Sequence, residues 1–199
     1  DEFVKAFQAM AQWARDQVPF PGAAFRQLIE EIVRDNALMR GTLWLGGRRV
    51  ELVDHGRANS PHDVTVYLPK ERILFTGDIV VQSSVPYTGM SWPVPWIDVL
   101  ADLEKLPVIA LVPGHGPVMR DHTYTREMRE LLVAVTPRVR KLVAEGRPVE
   151  WIQDSLRLDD IRRRVPAWTD KEHDEDWDYI VRTVIEPAWR GVRGQGWAG

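Results

Sequence analysis

The chain has 199 residues, 44% hydrophobic and 28% charged, enough apolar material for one domain with a sizeable core and not the composition of a disordered polymer. Its formal charge of -3, with no basic stripe interleaved with aromatics, argues against nucleic acid; the absence of cysteine excludes disulfides and thiolate metal sites, leaving imidazole, carboxylate or amide ligands for any transition metal. No run approaches the roughly 18 apolar residues of a membrane span, and residues 1–20 lack a basic segment followed by an apolar one, so the chain reads as soluble, in the cytoplasm, periplasm or outside the cell.

In chain order, residues 2–17 are expected to form an amphipathic helix ended by Pro19 and Pro21, and residues 23–39 a second, with Phe25, Leu28, Ile29, Ile32 and Val33 on one face. The chain starts at Asp1, and Phe3, Phe7 and Met10 already stand at helical spacing with no capping residue ahead of them. That start reads as the inside of a longer protein or as a processed precursor. Residues 42–45 and 48–53 flank Gly46-Gly47 as a hairpin, and residues 64–68 and 72–75 flank Pro69-Lys70-Glu71 as another. Residues 96–106 carry Ile97, Leu100, Leu103 and Leu106 at helical spacing, and residues 108–112, an apolar run between two prolines, read as a buried strand.

After Tyr124 the pattern turns helical. Met128, Leu131, Leu132, Val135, Val139 and Leu142 make one apolar face, which Pro137 is expected to kink or interrupt. Residues 148–165 read as short helices, and residues 171–190 as a last helix striped by Trp177, Ile180, Val181, Val184 and Ile185, with Pro187 a local irregularity and a fraying tail from Gly191. The whole is expected to be a single α/β domain over 1–199, helical over 1–40, strand-rich over 41–120 and helical over 121–190, with a mixed sheet covered by helices.

The candidate chemistry lies in the strand-rich middle. Asp78 follows the apolar strand Ile73-Leu74-Phe75 and a Thr-Gly step, so its carboxylate is expected at a strand end, where Gly77 lets the backbone turn; a turn or helix cap is the plainer role. His115 is bracketed by Gly114 and Gly116 after a second apolar strand, a presentation that suits a metal ligand as well as an imidazole satisfied by backbone groups. A third loop, Gly56-Arg57-Ala58-Asn59-Ser60-Pro61-His62-Asp63, precedes the strand at 64–68.

In this order, Gly-x-x-Asn-Ser-x-x-Asp, then Leu-Phe-Thr-Gly-Asp, then Val-Pro-Gly-His-Gly-Pro-Val, the motifs resemble those of the metallo-β-lactamase superfamily, over roughly residues 41–120. The resemblance implies half of an αββα sandwich, with one or two zinc ions, or iron or manganese, at the sheet edge. It implies Asp78 as the carboxylate bridging two metals, His115 as a ligand of the second, and metal-bound hydroxide as the nucleophile in hydrolysis of a small-molecule, carbonyl-type substrate.

Two departures stand out. Asn59 occupies the position of a usual His ligand, and an amide is a weaker zinc ligand than imidazole; His62 could reach in instead, or be a surface histidine. The family's His-x-His-x-Asp-His motif is absent, as expected if an N-terminal half is missing and a preceding segment or second chain completes the sandwich. A non-catalytic, metal-poor binding or structural domain that keeps the fold is the alternative. Residues 85–96, rich in proline and aromatics, could wall a substrate pocket through Tyr87, Met90 and Trp92, or pack over the core through Trp92 and Trp96. Of the remaining histidines, His55 reads as a strand-end residue, His122 as a surface neighbour of a helix cap, and His173 as part of a solvated acidic helix start.

Overall fold

The computed structural model describes residues 22, 26, 30, 35–37, 40, 42–82, 91–163 and 174–194, with side chains in the last helix described from 182 onward. The chain divides into two compact units, Asp1–Leu43 and Trp44–Gly199. In the first, the Thr42 amide donates to the Ala37 carbonyl at 2.8 Å. The helices expected over 2–17 and 23–39 lie outside the described residues, apart from isolated positions.

The second unit opens with a short hairpin, β1 (Trp44–Leu45) against β2 (Arg48–Arg49), turning through Gly46 and Gly47 at φ +55 and +74. Consecutive positive φ values match the right-handed strand twist, and glycine adopts them without strain. The strand expected over 48–53 divides here. Past Val50, β3 (Glu51–Asp54) leaves the hairpin and pairs with the longer β4 (Val64–Leu68).

The main sheet has the order β3-β4-β5-β6, with β5 at Ile73–Gly77 and β6 at Ala110–Pro113. The first three strands are antiparallel neighbours. The β5–β6 pair is parallel and therefore needs a crossover, which α1 (Pro93–Leu103) provides. This helix starts three residues earlier than expected, because the fixed φ of Pro93 suits a first turn whose amides have no intrahelical partner. The strand expected at 108–112 is shifted to end at Pro113, which is tolerated at the end of an edge strand.

Alternation decides which face of the sheet is covered. Thr65, Tyr67, Leu74, Thr76 and Leu111 are buried. Tyr67, Leu74 and Leu111 join Trp96, Leu100 and Leu103 of α1, and Met128, Leu131, Val135 and Val139 of α2 (Thr123–Ala144), in one core. The opposite face is also apolar. Register aligns Leu52, Val66, Phe75 and Val112 in one cross-strand row and Leu68, Ile73 and Ala110 in the next, all half-buried or exposed, with Phe75 39% exposed.

Of the two outcomes expected at Pro137, a kink or an interruption, the interruption does not occur, since α2 runs from Thr123 to Ala144. The proline leaves the Val133 carbonyl without its helical donor, but Val133 and Pro137 both lie on the exposed side, where water can replace it. Three further helices follow: α3 (Val149–Ser155), α4 (Asp159–Arg162) and α5 (Asp174–Val192). Val184, Ile185 and Ala188 of α5 are buried in the core, while the side chains of Trp177, Ile180 and Val181 lie outside the described residues. Among the described residues, no helix is long and apolar enough to cross a membrane.

Candidate functional site

The register of the main sheet gathers the chemistry at one edge. Asp54 pairs with Val64 at the end of β3, and Gly77 pairs with Pro113 where β5 and β6 end. The loops at 55–63, after Gly77 and after Pro113 therefore all open on that edge.

Asp78 and His115 meet there, with His115 Nε2 3.5 Å from Asp78 Oδ1 and both side chains more than half exposed. Backbone contacts bring them together. The Gly114 amide donates to the Gly77 carbonyl at 2.8 Å, and the Gln82 amide donates to the His115 carbonyl at 2.9 Å. The buried Thr76 hydroxyl lies 3.1 Å from the Gly77 carbonyl and 3.4 Å from that of Val112, bracing the ends of β5 and β6. A side chain at Gly114 would collide with the Asp78 carboxylate and with the Gly77 backbone at 2.7 Å; one at Gly116, where φ is +93, would collide with the Gln82 carbonyl. The glycines around His115 are thus required by close approach of the two loops.

The 55–63 loop is closed by the amides of His55 and Asp63, which donate to the carbonyls of Asp63 and Gly56 at 2.8 and 2.9 Å. Asp63 is buried, and its carboxylate accepts from the Ser60 amide at 2.7 Å and the Ser60 hydroxyl at 2.9 Å. This brace shapes the turn that carries Asn59, which is half-buried. The sequence reading did not assign Asp63 this part, although a carboxylate three residues after Ser60 in a Pro-containing loop is a turn-closing signal. No hydrogen bond joins Asn59 to Asp78 or His115. His62 is mostly exposed, and its Nδ1 lies 3.6 Å from Asp54 Oδ2. The Gly56 amide, donating to Asp54 at 2.8 Å, is the main cause holding that carboxyl below its ordinary value.

His55 Nε2 lies 2.8 Å from the Thr65 hydroxyl, and burial pushes its imidazole below the ordinary value against the pull of Asp102, Asp54 and Asp63. His122, expected at the surface, is instead buried at the head of α2, its Nε2 2.9 Å from the Leu106 carbonyl, because the start of α2 packs under the end of α1. His173, Tyr87 and Met90 lie outside the described residues.

Trp92 lines an open groove with Val94, Pro95, Pro187, Ala188 and Arg190. Its amide donates to the Ala58 carbonyl at 2.8 Å, and the Arg57 guanidinium stands 5.6 Å above its ring. Trp96 is fully buried, its indole N–H donating to the Ile79 carbonyl at 3.1 Å. The head of α1 is therefore tied both to the Asn59 loop and to the Asp78 turn.

Whether Asp78 and His115 suit a metal can be judged from their separation. Two ligand atoms about 2.0–2.1 Å from one tetrahedral ion stand about 3.4 Å apart. The observed 3.5 Å fits one edge of such a coordination shell. Among the described residues, no group of three or more His, Asp or Glu side chains is arranged to hold an ion.

Residues 8–147 match the family model described as the metallo-beta-lactamase superfamily, and the chain belongs to that family. Its members are typically metal-dependent hydrolases. Among solved structures, the inverting sec-alkylsulfatase Pisa1 from Pseudomonas sp. is 18% identical with a TM-score of 0.57, over 78% of this chain and 25% of that one. A metallo-beta-lactamase from Pontibacter korlensis is 26% identical with a TM-score of 0.42, over 46% of this chain and 44% of that one. The chain thus spans less than half the length of either structure. No curated protein matches it significantly. The four-stranded mixed sheet with flanking helices is part of the sandwich that defines the fold.

Proposed function

We propose that the Asp78–His115 edge is one side of a metal centre in a hydrolase acting on a small molecule with a carbonyl-type electrophile. The observation that carries this reading is the 3.5 Å approach of two exposed ligand-type side chains, held by loops that meet so closely at Gly114 and Gly116 that neither position admits a side chain. Asp78 would hold the ion through its carboxylate and His115 through Nε2, with zinc the first candidate and iron or manganese the alternatives. A metal bound there would supply Lewis acidity and a water acidified for attack. The chain's own contribution is to aim the two ligands and to hold the Asn59 turn, closed by Asp63 and Ser60, at the same edge. Asn59 would serve as a neutral ligand or through an intervening water.

The remaining ligands and a second sheet would come from a preceding segment bearing His-x-His-x-Asp-His or from a second chain. Two observations support this: no third ligand stands with Asp78 and His115 among the described residues, and the apolar row Leu52, Val66, Phe75 and Val112 has no sheet of comparable size beside it there. The same missing third ligand, with Asn59 in place of a histidine, favours the second reading, a metal-poor domain that keeps the fold without turnover.

Metal analysis of the complete gene product, together with the coding sequence upstream of Asp1, separates the two. The hydrolase reading expects the His-x-His-x-Asp-His motif upstream and about one or more bound equivalents of zinc, iron or manganese. An upstream sequence without the motif, and a product that neither contains nor takes up metal, would leave only the second reading.

A further inference from the structure

We infer that Arg57, with the indole of Trp92, recognises an anionic group on the substrate, so that the molecule hydrolysed carries a carboxylate or similar anion beside its carbonyl-type electrophile. That the anion belongs to a substrate rests on the reading of the Asp78–His115 edge given above; the anion site itself rests on Arg57 and Trp92. Arg57 is exposed in the 55–63 loop, two residues before Asn59, and its guanidinium stands 5.6 Å above the Trp92 ring. Attraction between a cation and a ring face holds the guanidinium in place but supplies no hydrogen-bond acceptor, so its N–H donors still need one.

The two carboxylates that flank Arg57 in the chain are already engaged. Asp54 accepts from the Gly56 amide and faces His62, and buried Asp63 accepts twice from Ser60. Among the described residues no carboxylate pairs with Arg57. Trp92 adds a second donor. The indole N–H of Trp96 is bonded to the Ile79 carbonyl, whereas that of half-buried Trp92 has no acceptor among the described residues. A held cation on an indole whose N–H is open suits an anionic oxygen group, which accepts from both. The head of α1 puts this pair on the reacting edge. The Trp92 amide donates to the Ala58 carbonyl, and one turn further on Trp96 bonds the carbonyl of Ile79, with Ala58 and Ile79 buried in the same core. Arg57 and Asp78 are the immediate chain neighbours of those two residues, so a single turn of α1, about 5.4 Å of helix, ties the cation to the metal-ligand loop.

The test is calorimetric titration of the complete gene product, in zinc-containing buffer, with hippurate, which sets a carboxylate beside a carbonyl and an aryl ring, and with its uncharged amide. The wild type is expected to bind hippurate about fivefold or more tighter than the amide, and Arg57→Gln to bind the two alike with zinc affinity unchanged. Arg57→Lys, which keeps the charge, should recover part of the preference. Trp92→Phe, which keeps a ring and removes the N–H, should weaken hippurate binding and leave that of the amide as it was. Equal binding of acid and amide by the wild type, no saturation of the folded wild type by hippurate, or an undiminished preference in Arg57→Gln would overturn the inference. A preference that survives Arg57→Gln and disappears on zinc chelation would place the carboxylate on the metal, sparing the hydrolase reading and overturning this one. An Arg57-dependent preference in a product that takes up no zinc would uphold the anion site and remove the hydrolase reading.

Discussion

His115 Nε2 stands 3.5 Å from Asp78 Oδ1, yet the two residues are placed by the backbone of their loops and not by the contact between them. Both side chains project from turns whose amides and carbonyls are bonded across β5 and β6. The glycines on either side of His115 should therefore matter as much as the imidazole. Gly114→Ala would push a methyl group into the Asp78 carboxylate and backbone, and Gly116→Ala adds a side chain at φ +93 against the Gln82 carbonyl. Each is expected to cost about 1–3 kcal/mol in urea unfolding and to separate the two ligands. Unfolding curves that superimpose on the wild type would show that these loops are not so tightly joined.

Asp63 should prove the main brace of the Asn59 turn. It is buried and accepts two hydrogen bonds from Ser60. Asp63→Ala leaves the Ser60 amide and hydroxyl without that acceptor and is expected to destabilise the chain by about 1–3 kcal/mol, with Ser60→Ala costing less because it removes only the hydroxyl bond. Chemical denaturation of the two variants gives the order directly.

Much of this edge was legible in the sequence, for identifiable reasons. Asp78 and His115 each follow a short apolar strand and sit beside glycine, so strand pattern and turn chemistry together located them. What escaped were facts set by tertiary contact. The burial of His122 depends on the carbonyl of Leu106, sixteen residues away, and the pairing of His62 with Asp54 depends on how the 55–63 loop folds back on β3. Which of the two outcomes Pro137 would have was not legible either, because its effect depends on the face of α2 it occupies, and that follows from packing.

His55 gives stability a pH dependence with a definite sign. Burial lowers its folded value below the ordinary 6.5, so the unfolded chain takes up a proton first as pH falls. Above that value both states are neutral and His55 contributes no slope. Below it, protons favour the unfolded chain and stability declines until the folded imidazole also protonates. In His55→Asn this contribution is absent, so the stability difference between variant and wild type should be flat above about pH 7.5 and shift in favour of the variant on acidification below about pH 6.5. A difference independent of pH across that range would show that the imidazole titrates normally.

If the proposed second sheet is supplied by another segment, the apolar row on the far face of the main sheet should bind hydrophobic probes in this chain alone. Phe75 lies in the row with Leu52, Val66 and Val112, the apolar surface on which the proposed second sheet would pack. Anilinonaphthalene sulfonate fluorescence is expected to rise with the isolated chain, to fall with Phe75→Ser, and to be absent with the complete gene product. Strong dye binding by the complete product would contradict the proposal that a second sheet covers this face.

The most direct test of the central claim is zinc titration of the complete gene product by calorimetry, for the wild type, Asp78→Asn and His115→Ala. Both side chains are exposed, so the variants should fold, with stability within about 0.5 kcal/mol of the wild type. The account predicts saturable zinc binding by the wild type and a loss of about tenfold or more in affinity in each variant. Wild-type affinity in both folded variants would contradict it.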